Sequence, residues 1–124
     1  MYRTVFAVLA ASLAIGCAAA VSAPAHAVSD QVTCDAVLQA SIEMGDSLAA
    51  GSEMADIKQA LAEVAAKLAA AAAEADPGPL KTALEEDVVQ LNRAASAPDD
   101  QVVAILDEHA VAEARDRVDA LCGF

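Results

Sequence analysis

The chain has 124 residues, enough for one domain and too few for two. It carries 7 basic against 19 acidic residues, for a net charge of −12. So acidic a surface repels nucleic acid and anionic membranes, and no basic cluster or aromatic platform offsets it.

Residues 1–27 read as an export signal rather than as part of the domain. Arg3 is the sole charge before Asp30, and Thr4 to Val21 is apolar or small. Ser22-Ala-Pro-Ala-His-Ala27 follows, with Ala25 and Ala27 at the −3 and −1 positions of an A-x-A cleavage site. The expectation is cleavage after Ala27, leaving residues 28–124 as a single helical domain. The run is about 18 residues, the lower edge for spanning a bilayer. Pro24 and the small residues after it favour cleavage over a retained anchor. Leu13-Ala14-Ile15-Gly16-Cys17 resembles a lipobox and offers a second exit route. Cys17 would then carry a lipid, with signal 1–16 removed and residues 18–31 serving as a tether. Soluble secretion is the preferred reading and lipid anchoring the alternative; either places the domain outside the cytoplasmic membrane. Membrane contact is expected only through that lipid.

Loss of the leader removes Arg3 and no acidic residue, so the remainder is slightly more negative still. Two thiols then remain, Cys34 and Cys122, in an oxidising compartment where such pairs form and persist. Neither has a Cys or His at metal-ligand spacing, so no metal is expected.

Four helical segments are marked by their punctuation. Alanine supplies about a quarter of residues 28–124, and it is the best helix former. The first segment spans about residues 29–50, with Asp30 and Asp35 favourable in its first turns and Gly51 after its end. Its apolar stripe is Cys34, Leu38, Ile42, Gly45 and Leu48. Ser52 is the expected cap of the second segment, which runs to about residue 75. Met54, Ile57, Leu61, Val64, Leu68, Ala71 and Ala75 alternate spacings of three and four, the seam of a packed helix. Glu63 precedes Lys67 by four residues, the better order for a surface pair.

Asp76-Pro77-Gly78-Pro79 breaks the chain and restarts it, since proline is tolerated in a helix's first turn. The third segment, residues 79–95, places Leu80, Leu84, Val88, Leu91 and Ala95 on one face, with Arg93 in its last turn. Ser96-Ala-Pro-Asp99 has the form of a capping box opening a fourth segment to about residue 122. Val103, Leu106, Ala110, Ala114, Val118 and Leu121 are expected to face inward, and Gly123 to end the helix.

Short loops between helices of similar length imply antiparallel neighbours. The expected fold is therefore an all-α, antiparallel up-down four-helix bundle. In that order the start of the first helix lies beside the end of the fourth, where Cys34 and Cys122 can pair. Phe124 is the lone aromatic after residue 27, so the core is aliphatic and small and a disulfide would matter to its stability.

Candidate chemistry is thin. His109 is the single histidine after residue 27 and sits at the edge of the fourth segment's apolar face. No serine or cysteine is tied to it by motif. Glu85-Glu86-Asp87, Asp99-Asp100 and Asp107-Glu108 lack the spacing of a calcium loop and read as solvated acidic faces. Met44 and Met54 read as apolar filler. There is no nucleophile–base motif, Gly-rich phosphate loop or H-E-x-x-H. The expectation is a non-enzymatic protein with no catalytic residues and no cofactor.

The leader, the alanine content, Cys34 and the closing Leu121-Cys122-Gly123 resemble small exported helical proteins of bacteria with GC-rich genomes. The secreted haemophore-like domains, with a cysteine near each end, are one branch of these. The resemblance covers overall plan and cysteine placement. It implies an exported helical domain; the aromatic and proline positions of that branch are absent, so it implies no haem site. Two functions remain: an envelope or extracellular module contacting an unknown protein partner, or a carrier of an apolar small molecule or lipid in the bundle core. Tapered, alanine-lined seams leave little volume for a ligand and favour the module.

Overall fold

A computed structural model describes residues 28–51 and 53–124. The expected leader with cleavage after Ala27, the expected lipobox Cys17 and Ser52 lie outside the described residues, and the N-cap of the helix that Ser52 was expected to cap is Glu53. Within them the chain forms five α-helices: α1 (Asp30–Ala50), α2 (Met54–Glu74), α3 (Pro79–Ala95), α4 (Val102–Leu106) and α5 (His109–Cys122), with a 3-10 turn at Asp99–Gln101 before α4. Helix α2 packs between α1 and α3, and α3 packs between α2 and α5; α1 and α5 touch at few positions. None of the described helices is long and apolar enough to cross a membrane.

The helix ends follow local chemistry. Ser29 caps α1, its hydroxyl accepting from the Val32 N–H. At the α2 entry the Glu53 N–H donates to the Asp56 carboxylate at 3.3 Å, satisfying a group that has no helical partner. Gly51 ends α1 in an extended rather than left-handed conformation. Its lack of a side chain matters for another reason: a Cβ there would lie 2.7 Å from Asp56 Oδ2. Gly78, at φ +154°, occupies a region that side-chain-bearing residues avoid, and Pro79 then starts α3.

The core agrees closely with the seams read from α2 and α3. Leu61, Val64, Leu68, Leu80, Leu84 and Leu91 are buried in one cluster, with Met54, Ile57 and Val88 packed against it. Helix α1 departs from expectation. Thr33, Val37 and Ala40 are its buried residues, while Leu38 and Ile42 are 46% and 50% exposed. The stripe 33–37–40–44 steps by four, three and four residues and the stripe beginning at Cys34 by four, four, three and three, so each marks a continuous helix face. Packing selects the set with the smaller Val37 and Ala40 for the core.

The fourth segment is also corrected, because it is not one helix. Ser96 ends α3 instead of opening a helix, and the chain breaks again at Asp107 and Glu108. Val102, Val111, Ala114 and Val118 are buried, whereas Val103 and Leu121 are exposed and Ala110 lies outside the core. At about 100° per residue, the nine-residue step from Val102 to Val111 would put them on opposite sides of a straight helix. The break lets both face inward.

Candidate functional site

The two cysteines lie where the first and last helices meet. Cys34, in the second turn of α1, and Cys122, the last residue of α5, form a disulfide with Cα atoms 5.5 Å apart. Both half-cystines pack against the main core. Leu38 and Ile42 stand one and two turns beyond Cys34 on the same side of α1, since residues four apart share a helix face. Leu121 and Phe124, beside Cys122, are exposed as well. The disulfide thus has exposed apolar side chains on both the helices it joins.

A polar feature missed in the sequence lies between α3 and α5. Asp87, read there as part of a solvated acidic face, is 1% exposed. Its carboxylate lies 3.3 Å from the Arg115 guanidinium, yet Oδ2 has no hydrogen bond. Burial pushes the Asp87 carboxyl above the usual carboxylate range; Arg115 opposes that shift and Asp119 adds to it. The available signal was register: Leu84, Asp87, Leu91 and Ala94 fall on one face, so Asp87 occupies a core position. Glu86, the preceding residue, does face water and pairs with Arg117.

The other candidates separate from one another. His109 is exposed and lies 3.1 Å from Glu113 one turn on. Asp99 pairs with Lys58 at 3.1 Å, and Glu108 pairs with Arg93. Lys67 pairs with Glu43 across to α1 instead of with Glu63 on its own helix. Met44 and Met54 pack against the core from different helices. Among the described residues no three metal-ligating side chains converge.

Surface grooves of about 240–300 Å³ lie between the helices. One, at about 240 Å³, is lined by Val28, Val32, Ala36, Ala70, Ala71, Lys67 and Glu74, among others, between α1 and the end of α2. Comparisons with protein-family models, curated proteins and solved structures find no match to this chain.

Proposed function

We propose that the protein is an exported, non-enzymatic helical module that contacts a protein partner of the cell envelope or its surroundings. The observation that carries this reading is the exposed pair Leu38 and Ile42 on α1, held next to the Cys34–Cys122 disulfide. Two large aliphatic side chains one turn apart form an apolar stripe that a partner helix could cover. A disulfide suits a domain that works in an oxidising compartment, and the leader supplies the route there. The up-down four-helix order is part of the same proposal, with α4 and α5 together standing as the last helix. Its support is the sequential packing of α1, α2, α3 and α5.

The carrier reading draws on the groove between α1 and α2, whose lining is mainly apolar. The module is preferred because Leu68, Leu80, Leu84, Val64 and Val118 fill the centre of the fold.

Native mass spectrometry of protein recovered from its own culture medium or membranes tests the proposal. The expected species is a disulfide-closed chain beginning at Val28, or one blocked by lipid at Cys17, with a protein partner retained. Replacing Leu38 and Ile42 by Lys should remove the partner and leave the melting temperature within a few degrees. A retained apolar small molecule would favour the carrier, and intact Met1 on stably cytoplasmic protein would refute both export routes.

A further inference from the structure

The described structure begins at Val28, and both backbone groups of that residue are committed. Its N–H donates to the Glu74 carbonyl at 2.9 Å, and its carbonyl accepts from the Asp76 N–H at 3.0 Å. Val28 thereby forms a parallel bridge with Ala75, at the point where α2 ends.

That helix end is short of positive charge. The last carbonyls of a helix lack intrahelical partners and carry the negative end of its dipole. Helix α2 has no basic residue in its last turn. Two groups from elsewhere reach it: Lys81 Nζ of α3 donates to the Ala72 carbonyl, and the Val28 N–H donates to the Glu74 carbonyl.

We infer that cleavage after Ala27 creates a structural ammonium at Val28, which completes the C-terminal end of α2. The inference rests on the export reading. An export-coupled endopeptidase would add water across the Ala27–Val28 bond. The acyl carbon leaves as the Ala27 carboxylate, and the Val28 nitrogen becomes an amine that takes up a proton at neutral pH. A neutral amide donor at 2.9 Å from Glu74 O is thus replaced by a cationic one, and charge-assisted hydrogen bonds are the stronger kind. Processing then does more than release the chain from its leader: it adds a cation where the fold has use for one.

The surrounding charges decide the sign of the effect. Glu74 of α2 and Asp76 of the following turn adjoin the two carbonyl and amide partners, and Asp30 lies two residues along on α1. Lys67 of α2 lines the same groove as Val28, and Lys81 of α3 occupies the neighbouring carbonyl. The lysines disfavour the added cation. Lys67 is engaged by Glu43, whereas Glu74 O accepts directly from the Val28 nitrogen, so the attraction prevails. The folded amine therefore holds its proton above the ordinary value of about 7.7–8 for an α-amino group. A raised folded value gives stability that is fully present below the unfolded one and is lost as pH rises through the folded one.

The test compares three disulfide-closed chains ending at Phe124; residues 28–124 contain the described core and both paired cysteines. One begins at Val28 with a free amine, the second is the same chain acetylated at that amine, and the third keeps Ala25-His26-Ala27 ahead of Val28. At pH 7 the free-amine chain should melt about 2–6 °C above the other two, the shift expected for one helix-end charge in a domain of this size. At pH 9.5 the gap should close. Equal melting temperatures at pH 7, or a gap that persists at pH 9.5, would overturn the inference. N-terminal sequencing of exported protein separately tests where the cell cuts, so failure of the export reading is distinguishable from failure of this one.

Discussion

Asp87 of α3 and Arg115 of α5 form an ion pair at 3.3 Å whose acidic member is buried and whose basic member remains partly in water. The pair joins two helices that are adjacent in space and separated in sequence by α4. Desolvation raises the Asp87 carboxyl above its ordinary 3.8 in spite of Arg115. The folded state thus holds this proton more tightly than the unfolded chain does. The contribution to stability is fully present below 3.8 and is lost as pH rises through the raised folded value. Relative to Asp87→Asn, the parent protein should gain stability as pH falls from 7 toward 4, by about 1.4 kcal/mol per unit of difference between folded and unfolded values. Urea titrations of both proteins across that window measure it; parallel curves would contradict the assignment.

Removing the other partner should act in the opposite sense. Arg115→Met leaves the Asp87 carboxylate buried without a counter-charge. A loss of about 3–5 kcal/mol at pH 7 is expected, the usual cost of breaking a buried pair from one side. Much of it should return at acid pH, as Asp87 protonates. Chemical denaturation of the variant at pH 7 and pH 4.5 checks both statements.

Leu61 and Leu84 sit in the core between α2 and α3, with Leu61 5% exposed. Leu61→Ala should cost about 2–5 kcal/mol, the range for truncating a buried leucine. A change below about half a kcal/mol would place that seam against water or a removable partner.

The disulfide spans 88 residues of sequence. Closing a loop of that length removes roughly 4.5 kcal/mol of chain entropy from the unfolded state on the chain-entropy model. Exported monomer, denatured and probed for thiols, should show none free at Cys34 or Cys122. Reduction, or a Cys34→Ala and Cys122→Ala double variant, should lower the melting temperature by more than 10 °C. A reducible covalent dimer as the main species would contradict intramolecular pairing.

Two glycines near the α1–α2 turn should respond oppositely to alanine. At Gly45 an added Cβ meets nothing within 4 Å, so Gly45→Ala should stabilise by roughly 0.5–1 kcal/mol through helix propensity. At Gly51 the Cβ would displace the Asp56 carboxylate that accepts from Glu53. Gly51→Ala should therefore cost on the order of 1 kcal/mol, the worth of a helix cap. Thermal melts of the two variants beside the parent decide the signs.

The sequence by itself determined the helical class, the three long helices within a residue or two of their ends, and the seams of α2 and α3. It could do so because the large apolar residues there, Val89 apart, fall on one face, between a proline–glycine break and short polar turns. It also singled out Cys34 and Cys122 as the pair, on the expectation of a leader and an oxidising compartment. Tertiary structure decided the rest. In α1 two stripes that start one residue apart both have helical spacing, and the fit of Val37 and Ala40 into the core exposed Leu38 and Ile42. In the last segment the nine-residue step between Val102 and Val111 needed a break that no proline or glycine marks. Asp87 looked like surface because charge is a local property, whereas its burial depends on α5 arriving with Arg115 from 28 residues further along. Periodicity reports which residues share a face; which face is covered is settled by the volumes and charges that distant helices bring to it.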